Sequence, residues 1–443
     1  MKSPPARERP PTVVVIGAGF AGLAAMGELA KQGWDAWLVE RQPYTTFQPL
    51  LYQVATGGLN VEDVAFPIRS LLRRMGRGRF VQGTAVTVDW DRRLVTLDSG
   101  RLLPYDFLLL ATGATPRFFG VPGAANFGLP LHTLADAVRL RTWLVDALER
   151  AAAESDRRPV HLVVVGGGPT GVETAGALAE LRDLLAGRDY PELARDDIRI
   201  ELLEAAPRLL PSFHPALSRY ATEALERRSV VVMTGGAVRQ VREGEVLLDS
   251  GPRPVDLLVW SAGVEVSDST LLRGLARTTS GRLLVNPSLQ LPGRPEVLAL
   301  GDVSGARAGA AELPQLAQPA IQAGRHAVRQ LQRMRSGQRP RPFRYRDRGT
   351  MATIGRRAAV AQLRGGLRLT GTAAWLAWLA LHLVELLGVR NRASVLINWT
   401  WHYLAWRRAA GLIPPAPAGA RQTSGLSGAG DDGERGPKSK DCD

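Results

Sequence analysis

The chain has 443 residues, 45% of them hydrophobic, which is enough for two or three domains with full cores and excludes a fibre or a disordered tail. Its formal charge of +14 comes from arginine spread along the whole length without any nucleic-acid module, so it reads as solvated surface or a membrane-facing surface and not as a nucleic-acid groove. The single cysteine, Cys442, lies one residue from the end and excludes a disulfide framework, a thiolate metal cluster and a redox dithiol.

In chain order, "MKSPPARERPP" has charge and proline but no apolar segment. It is expected to be a disordered N-terminus over 1–11 and not a secretory signal. From Thr12, "TVVVIGAGFAGLAAMGELAKQGWDAWLVER" is an apolar β-branched run, then G-x-G-x-x-G, then an alanine-rich stretch with helical spacing. In such a motif Gly17 permits the strand-to-helix turn, Gly19 lets the backbone approach a pyrophosphate and Gly22 lets helix pack on strand. The phosphate then sits on the helix N-terminus, and Glu40, closing the next strand, accepts from ribose hydroxyls. "YDFLLLATGATPR" is a buried strand running into a glycine turn at Gly113.

The motif recurs at His161 in "HLVVVGGGPTGVETAGALAEL", with Gly166, Gly168 and Gly171, and its acid is Glu204 at the end of "IRIELLE". The spacing to this acid is longer because "RDLLAGRDYPELARDD" extends or interrupts the crossover. "DLLVWSAGV" repeats the strand-and-turn form at Gly263, and "VLALGDVSG" ends another apolar strand in Gly301 and Asp302. Two phosphate cradles in one chain suggest a flavin supplied with electrons by a nicotinamide cofactor. These pieces resemble the two-dinucleotide flavoprotein disulfide reductase superfamily, in which the last aspartate, here Asp302, reaches the flavin. The best-known members of that superfamily pass electrons through a cysteine pair. This sequence has none there, so the acceptor is external: oxygen, a small redox protein or a quinone.

"LPQLAQPAIQAGRHAV", residues 313–328, predicts a helix starting at Pro319, with Gln318 and Gln322 four residues apart and alanine around them. From Gly371, "GTAAWLAWLALHLVELLGVRNRASVLINWTWHYLAWRRAAGLI" is too short and too interrupted to cross a bilayer. Helical spacing puts Trp375, Trp378, Leu379 and Leu386 on one apolar face. A second stretch carries Val395, Trp399, Tyr403 and Trp406, closed by Arg407 and Arg408. Tryptophan flanked by arginine suits a headgroup boundary; the alternative is a helix pair packed on the protein's own core or on a dimer partner. The tail over 413–443 has a disordered composition.

With "FQPLLYQVATGGL", "GGGPTGVETAGALAEL", "LLEAAPRLLPSF", "ALGDVSG", "LPQLAQPAIQAG" and "YRDRGTMATIGRRAAV", the sequence resembles the type II NADH:quinone oxidoreductases. These are single-subunit respiratory dehydrogenases that do not pump protons. The resemblance implies an α/β fold of two Rossmann-like dinucleotide-binding domains with a C-terminal amphipathic, membrane-anchoring helical region. It places an FAD domain at 12–115 and 285–365, an NADH domain at 116–284 and the membrane helices at 366–412.

The implied contacts to non-covalent FAD are Gly17, Gly19, Gly22, Glu40, Arg41, Gln48, Thr112, Gly113, Asp302 and Gln318. Those to NADH are Gly166, Gly168, Gly171, Glu173, Glu204 and Gly263. Gln318 and Gln322 would bound a quinone slot, and Glu173, expected on the first turn of its helix, would shape hydride transfer or relay a proton. Glu204 would repel a 2′-phosphate and favour NADH over NADPH, with nearby Arg208 leaving this open. The implied protein is a peripheral enzyme on the cytoplasmic side of the cell membrane, which reduces a membrane quinone; a homodimer is the default assembly. A soluble NAD(P)H-dependent reductase of a ferredoxin-like protein and a flavoprotein redox switch are the alternatives.

Overall fold

The structure, a computed structural model, describes residues 11–153 and 158–404. The expected disordered ends thus fall outside the described residues, apart from residue 11, as do Trp406, Arg407 and Arg408, and the side chain of Tyr403 is likewise not described.

The sequence echo is an echo of topology. One sheet runs Gln290–Leu291, Arg294–Ala299, Phe107–Leu110, Thr12–Ile16, Asp35–Glu40, Arg79–Gln82; the other runs Leu129–Pro130, Leu257–Trp260, Val160–Val165, Ile198–Glu204, Val230–Thr234. In each, the strand before the fingerprint lies parallel between the strand that ends in the acid and the strand that feeds the glycine turn. All five residues of Thr12–Ile16 are buried, as expected of a parallel strand covered on both faces. Each unit also carries a three-stranded antiparallel sheet, at residues 85–104 and 238–254.

The chain leaves the first unit at Thr115–Pro116 and returns at Val264–Glu265, the two crossings pairing antiparallel. Leu271, Leu272 and Leu283 then pack in one core with Val14 and Leu108 of the first sheet. The return therefore comes about twenty residues before the expected 285. An apolar loop carries no periodicity that would reveal which core it joins.

The helix carrying "AQPAIQ" spans Ala317–Arg335, two residues earlier than predicted. Pro319 is its third residue, tolerated because the N–H groups of a first turn have no intrahelical partner. It packs on the helix Phe20–Lys31 so closely that a Cβ on Gly324 would lie 2.2 Å from the Ala21 carbonyl oxygen.

A three-stranded sheet, Gly349–Gly355, Ala358–Leu363 and Arg368–Thr370, begins the C-terminal region. Its first strand lies on the helix Pro169–Leu185, where a Cβ on Gly176 would come within 2.1 Å of the Ile354 oxygen. The helices Gly371–Glu385 and Val389–Leu404 follow, and no helix among the described residues is long and apolar enough to cross a membrane.

The expected membrane-facing tryptophans turn inward: Trp375, Trp378 and Trp399 are buried, the last two in the main core with Leu386 and Val395. The indole N–H of Trp399 donates to Gln53 Oε1 at 2.8 Å, while Ser394 and Asn398 bond the buried Asp63 carboxylate. A different set, Leu376, Leu381, Val384, Leu396, Ile397 and Trp401, is exposed. The helices are apolar on both sides, so periodicity could not say which side faces the core.

Candidate active site

The two fingerprints build the same cradle. Gly17 and Gly166 sit at φ +103° and +107°, and a Cβ at either would meet backbone, Ala111 O at 2.2 Å or Ser261 O at 2.6 Å. Gly22 and Gly171 face the carbonyl oxygens of Gly17 and Gly166 at 1.9 and 1.8 Å from the Cβ position, so helix and turn touch. Gly19 and Gly168 are the opposite: nothing lies within 4 Å of either Cβ position. These open positions lie at helix N-termini, where a pyrophosphate would lie on N–H groups and the positive dipole end.

The acids hold their loops. Glu40 Oε2 accepts the Ala18 N–H at 2.8 Å and its Oε1 that of Arg41 at 2.9 Å; Glu204 accepts from Gly167 and, at 2.6 Å, from Ala206. Each carboxylate retains lone pairs for ribose hydroxyls. Arg208 is otherwise engaged: Nη1 donates to Phe213 O and Ser218 Oγ, each at 2.7 Å, and Nη2 to Pro211 O at 2.6 Å.

A cavity of about 700 Å³ opens in front of the first fingerprint and reaches the second unit. Gly17, Gly19, Glu40, Arg41, Gln48, Thr112, Gly113, Asp302, Gln318 and Glu173 all line it, with Pro169, Thr170 and Val264. Gly22 lies beneath the turn, and Gly166, Gly168, Gly171, Glu204 and Gly263 lie along the second unit outside this cavity. Three helices present their first residues to it: Phe20 and Ala21, Pro169 and Thr170, Ala317 and Gln318. Their aligned dipoles make its interior favourable to negative charge. Half-buried Asp302 has its carboxyl pushed up by desolvation, opposed by His132 and Arg282.

Glu173 lies on the second turn of its helix, not the first, so the dipole has little hold on it. Only 9% exposed, it receives the Thr353 N–H at 3.3 Å and lies beside the Trp378 indole. Burial outweighs both and pushes its carboxyl from 4.5 up to about 8, so at neutral pH it holds a proton.

The two glutamines part company. Gln318 lines the cavity and donates to Glu385 Oε1 at 3.4 Å. Gln322 does not line it: its Nε2 donates to Arg346 O at 2.9 Å and its Oε1 accepts the Arg346 N–H at 3.0 Å. Four residues along a helix is a rotation of about 40°, enough here to take Gln322 round to the following chain segment.

The cavity also has walls that the sequence reading did not single out: Tyr52, Tyr345, His382 and Glu385. His382 stacks on Trp378 with ring centroids 3.9 Å apart, and burial lowers it to about 4, so it is neutral. Two polar residues three apart in an otherwise apolar helix share a face, and that was the available signal.

Residues 11–324 match the pyridine nucleotide-disulphide oxidoreductase family, and residues 348–408 match the NDH2 C-terminal domain. The chain is 37% identical over 408 residues to the type II NADH:quinone oxidoreductase NdhA of Mycobacterium tuberculosis, covering 87% of this chain and 86% of the relative. It is 36% identical to Ndh of the same organism, covering 94% and 93%. Its fold matches that of NDH2 from Plasmodium falciparum, solved in complex with NADH, with a TM-score of 0.84, 20% identity and coverage of 91% of this chain and all of that one. With one dinucleotide cradle opening into the cavity, the helix of a second cradle reaching the same cavity, no cysteine pair in the sequence and a C-terminal region of matching kind, the chain belongs to the type II NADH:quinone oxidoreductases.

Proposed function

We propose that the cavity joins the two halves of the family's reaction, oxidation of NADH and reduction of a quinone, and that Glu173 and Gln318 are its working side chains. As a member of the family the chain catalyses this transfer without pumping protons. The observation that carries the site assignment is the meeting of Glu173, from the NADH-side helix, with Gln318, from the helix N-terminus opposite, on the walls of one cavity.

The first fingerprint fits a non-covalently held FAD: the space at Gly19, the oxygen atoms of Glu40 and the interior shaped by Thr112, Gly113 and Asp302 match pyrophosphate, ribose and ring in that order. When bound, the flavin accepts a hydride and passes an electron pair on, chemistry that the protein's side chains do not have. NADH lies along Gly166–Gly171 with its adenosine ribose on Glu204. Arg208, bound to its own loop, is not free to receive a 2′-phosphate, so NADH is preferred over NADPH. Gln318 offers its amide N–H to a quinone carbonyl, and protonated Glu173 holds a proton for quinol formation.

The exposed apolar residues of the last two helices continue into the cavity wall at Leu381. A lipid-soluble quinone would enter here, with the protein lying on the cytoplasmic face of the membrane. The test is anaerobic oxidation of NADH and, separately, NADPH by purified holoprotein in lipid, with and without a short-chain quinone. Fast quinone-dependent turnover, preferring NADH, is expected. If NADH bleaches the flavin and quinone does not restore its colour, the cavity does not reduce quinone.

A further inference from the structure

Glu173 borders two cavities. Its second neighbour is a narrow side cavity with a free volume of about 40 Å³, walled by Ala177, Glu180 and Leu184 of the same helix, by Gln53 and Thr56, and by Trp399. Glu173 and Tyr52 line both this space and the main cavity. At its other end Glu180, partly exposed, has its Oε1 accepting from the Arg356 N–H. A Cβ on Gly355 would stand 2.4 Å from that oxygen, so a glycine is what lets the carboxylate sit there. Gln53 is oriented from both sides, donating to Tyr52 Oη at 2.8 Å and accepting from Trp399 Nε1 at 2.8 Å.

The reaction defines a need that these groups can meet. NADH + quinone + H⁺ gives NAD⁺ + quinol: the hydride supplies both electrons and one hydrogen, and the second hydrogen must come from solution as a proton. Glu173 can hold that proton, but it is buried behind the main cavity, which NADH, flavin and quinone would fill. It therefore has to be reloaded from elsewhere. Glu173 and Glu180 are seven residues apart on one helix face, about 10 Å along the axis. A volume of this size holds about three waters, each with hydroxyl, amide or carboxyl partners, and three waters span that gap.

We propose that the side cavity is the proton inlet of the enzyme, with Glu180 as its outer acceptor, water between, and Glu173 as the group it reloads. This rests on the reading of the main cavity given above. Glu180 suits the outer end because it lines the side cavity and its residue is partly exposed, further along the helix than buried Glu173. Desolvation holds its carboxyl above the ordinary value, outweighing the Arg356 N–H and the charges of Arg228 and Arg356, with Asp183 adding a smaller upward push. Glu173 faces Thr353, Trp378 and, through the indole, neutral His382. A proton thus moves through water from the carboxyl of a partly exposed residue to that of a buried one.

The test uses holoenzyme in lipid, comparing wild type with Glu180→Gln and with Ala177→Leu, which keeps both carboxyls and fills the space between them. Flavin content and Tm report folding. Both variants are expected to reduce quinone about tenfold more slowly on the alkaline side, with a smaller loss on the acid side and a larger solvent deuterium isotope effect. Added formate, a small proton carrier, is expected to restore Glu180→Gln but not the plugged Ala177→Leu. An infrared titration supplies a readout independent of turnover: the protonated-carboxyl band of Glu173 should re-equilibrate more slowly after a pH jump in both variants. Wild-type pH profiles and isotope effects in the two variants would overturn the inlet, and so would a uniform rate loss that formate does not repair. If wild type itself fails to reduce quinone, the reading of the main cavity fails instead.

Discussion

The two fingerprint units share glycine geometry, strand order and an acid that ties down its loop, yet they differ in what closes over them. The first is covered by late parts of the chain: Asp302, Gln318, Tyr345 and His382 all face it. The second keeps its glycines and Glu204 outside that enclosure. On the function proposed above, the enclosed cradle suits a molecule that stays and the open one a molecule that must leave. The difference lies entirely in chain outside the motifs.

The largest effect that would break this comparison comes from the two open glycines. Neither Gly19 nor Gly168 has an atom within 4 Å of its Cβ position, and both have extended backbone, φ −76° and −71°, that a β-branched residue adopts easily. Valine at either therefore leaves the fold intact and fills only ligand space. Gly19→Val should be purified almost free of flavin. Gly168→Val should retain its flavin and yellow colour while its KM for NADH rises at least about tenfold, an effect of roughly 1.4 kcal/mol or more. Absorbance of the purified proteins and steady-state kinetics decide it; equal flavin loss in both would mean that the cradles are not separately assigned.

What was legible in the sequence follows the same division. Strand, turn and helix of each cradle are dictated by residues within about thirty positions of one another, so the pattern of glycines and apolar runs was enough. The enclosing parts were harder. The reading of "AQPAIQ" found the right helix but began it at Pro319, because a proline is a start signal that does not distinguish the first helical residue from the third. The tryptophans of 375–399 suit a headgroup boundary or the protein's own core, and the sequence does not choose between them, because an all-round apolar helix does not announce its inner face; Trp378 and Trp399 complete the core. In the sequence His382 and Glu385 do no more than interrupt an apolar run. Their place at the cavity depends on contacts with Phe47 and Gln318, far away in sequence, which no local pattern encodes.

Glu173 is where the two units exchange influence, since it belongs to the second helix and faces the first unit's cavity. Its carboxyl is raised from 4.5 to about 8, so the native state holds a proton that the unfolded chain has released across that interval. Stability should therefore fall as pH rises through this window, with no contribution from this group below it and no further loss above it. Glu173→Gln mimics the protonated form and removes the dependence. Its Tm should exceed that of wild type at about pH 8.5, by an amount corresponding to ~2–4 kcal/mol, and match it near pH 5. Parallel Tm curves for the two proteins would show that the carboxylate is not desolvated, and the bridge between the units would then be an ordinary surface acid.

The smallest effect separates two amides on one helix. Gln318 faces the cavity and makes a single long contact to Glu385, so it is free to turn toward a ligand; Gln322 spends both amide atoms on the backbone of Arg346. Removing Gln322 leaves a carbonyl and an N–H of that segment without their partner, at a cost of about 1–2 kcal/mol where water replaces them only in part. Gln322→Ala should accordingly lower Tm with little change in KM for quinone. Gln318→Ala should do the reverse, leaving Tm within a degree or so and raising that KM about fivefold, the value of roughly one hydrogen bond of 1 kcal/mol. The pair is informative because both residues are glutamines in the same short motif. If the two variants shift KM alike, the motif acts on quinone as a unit; if only Gln322→Ala lowers Tm, its second amide is there to hold the chain that walls the cavity.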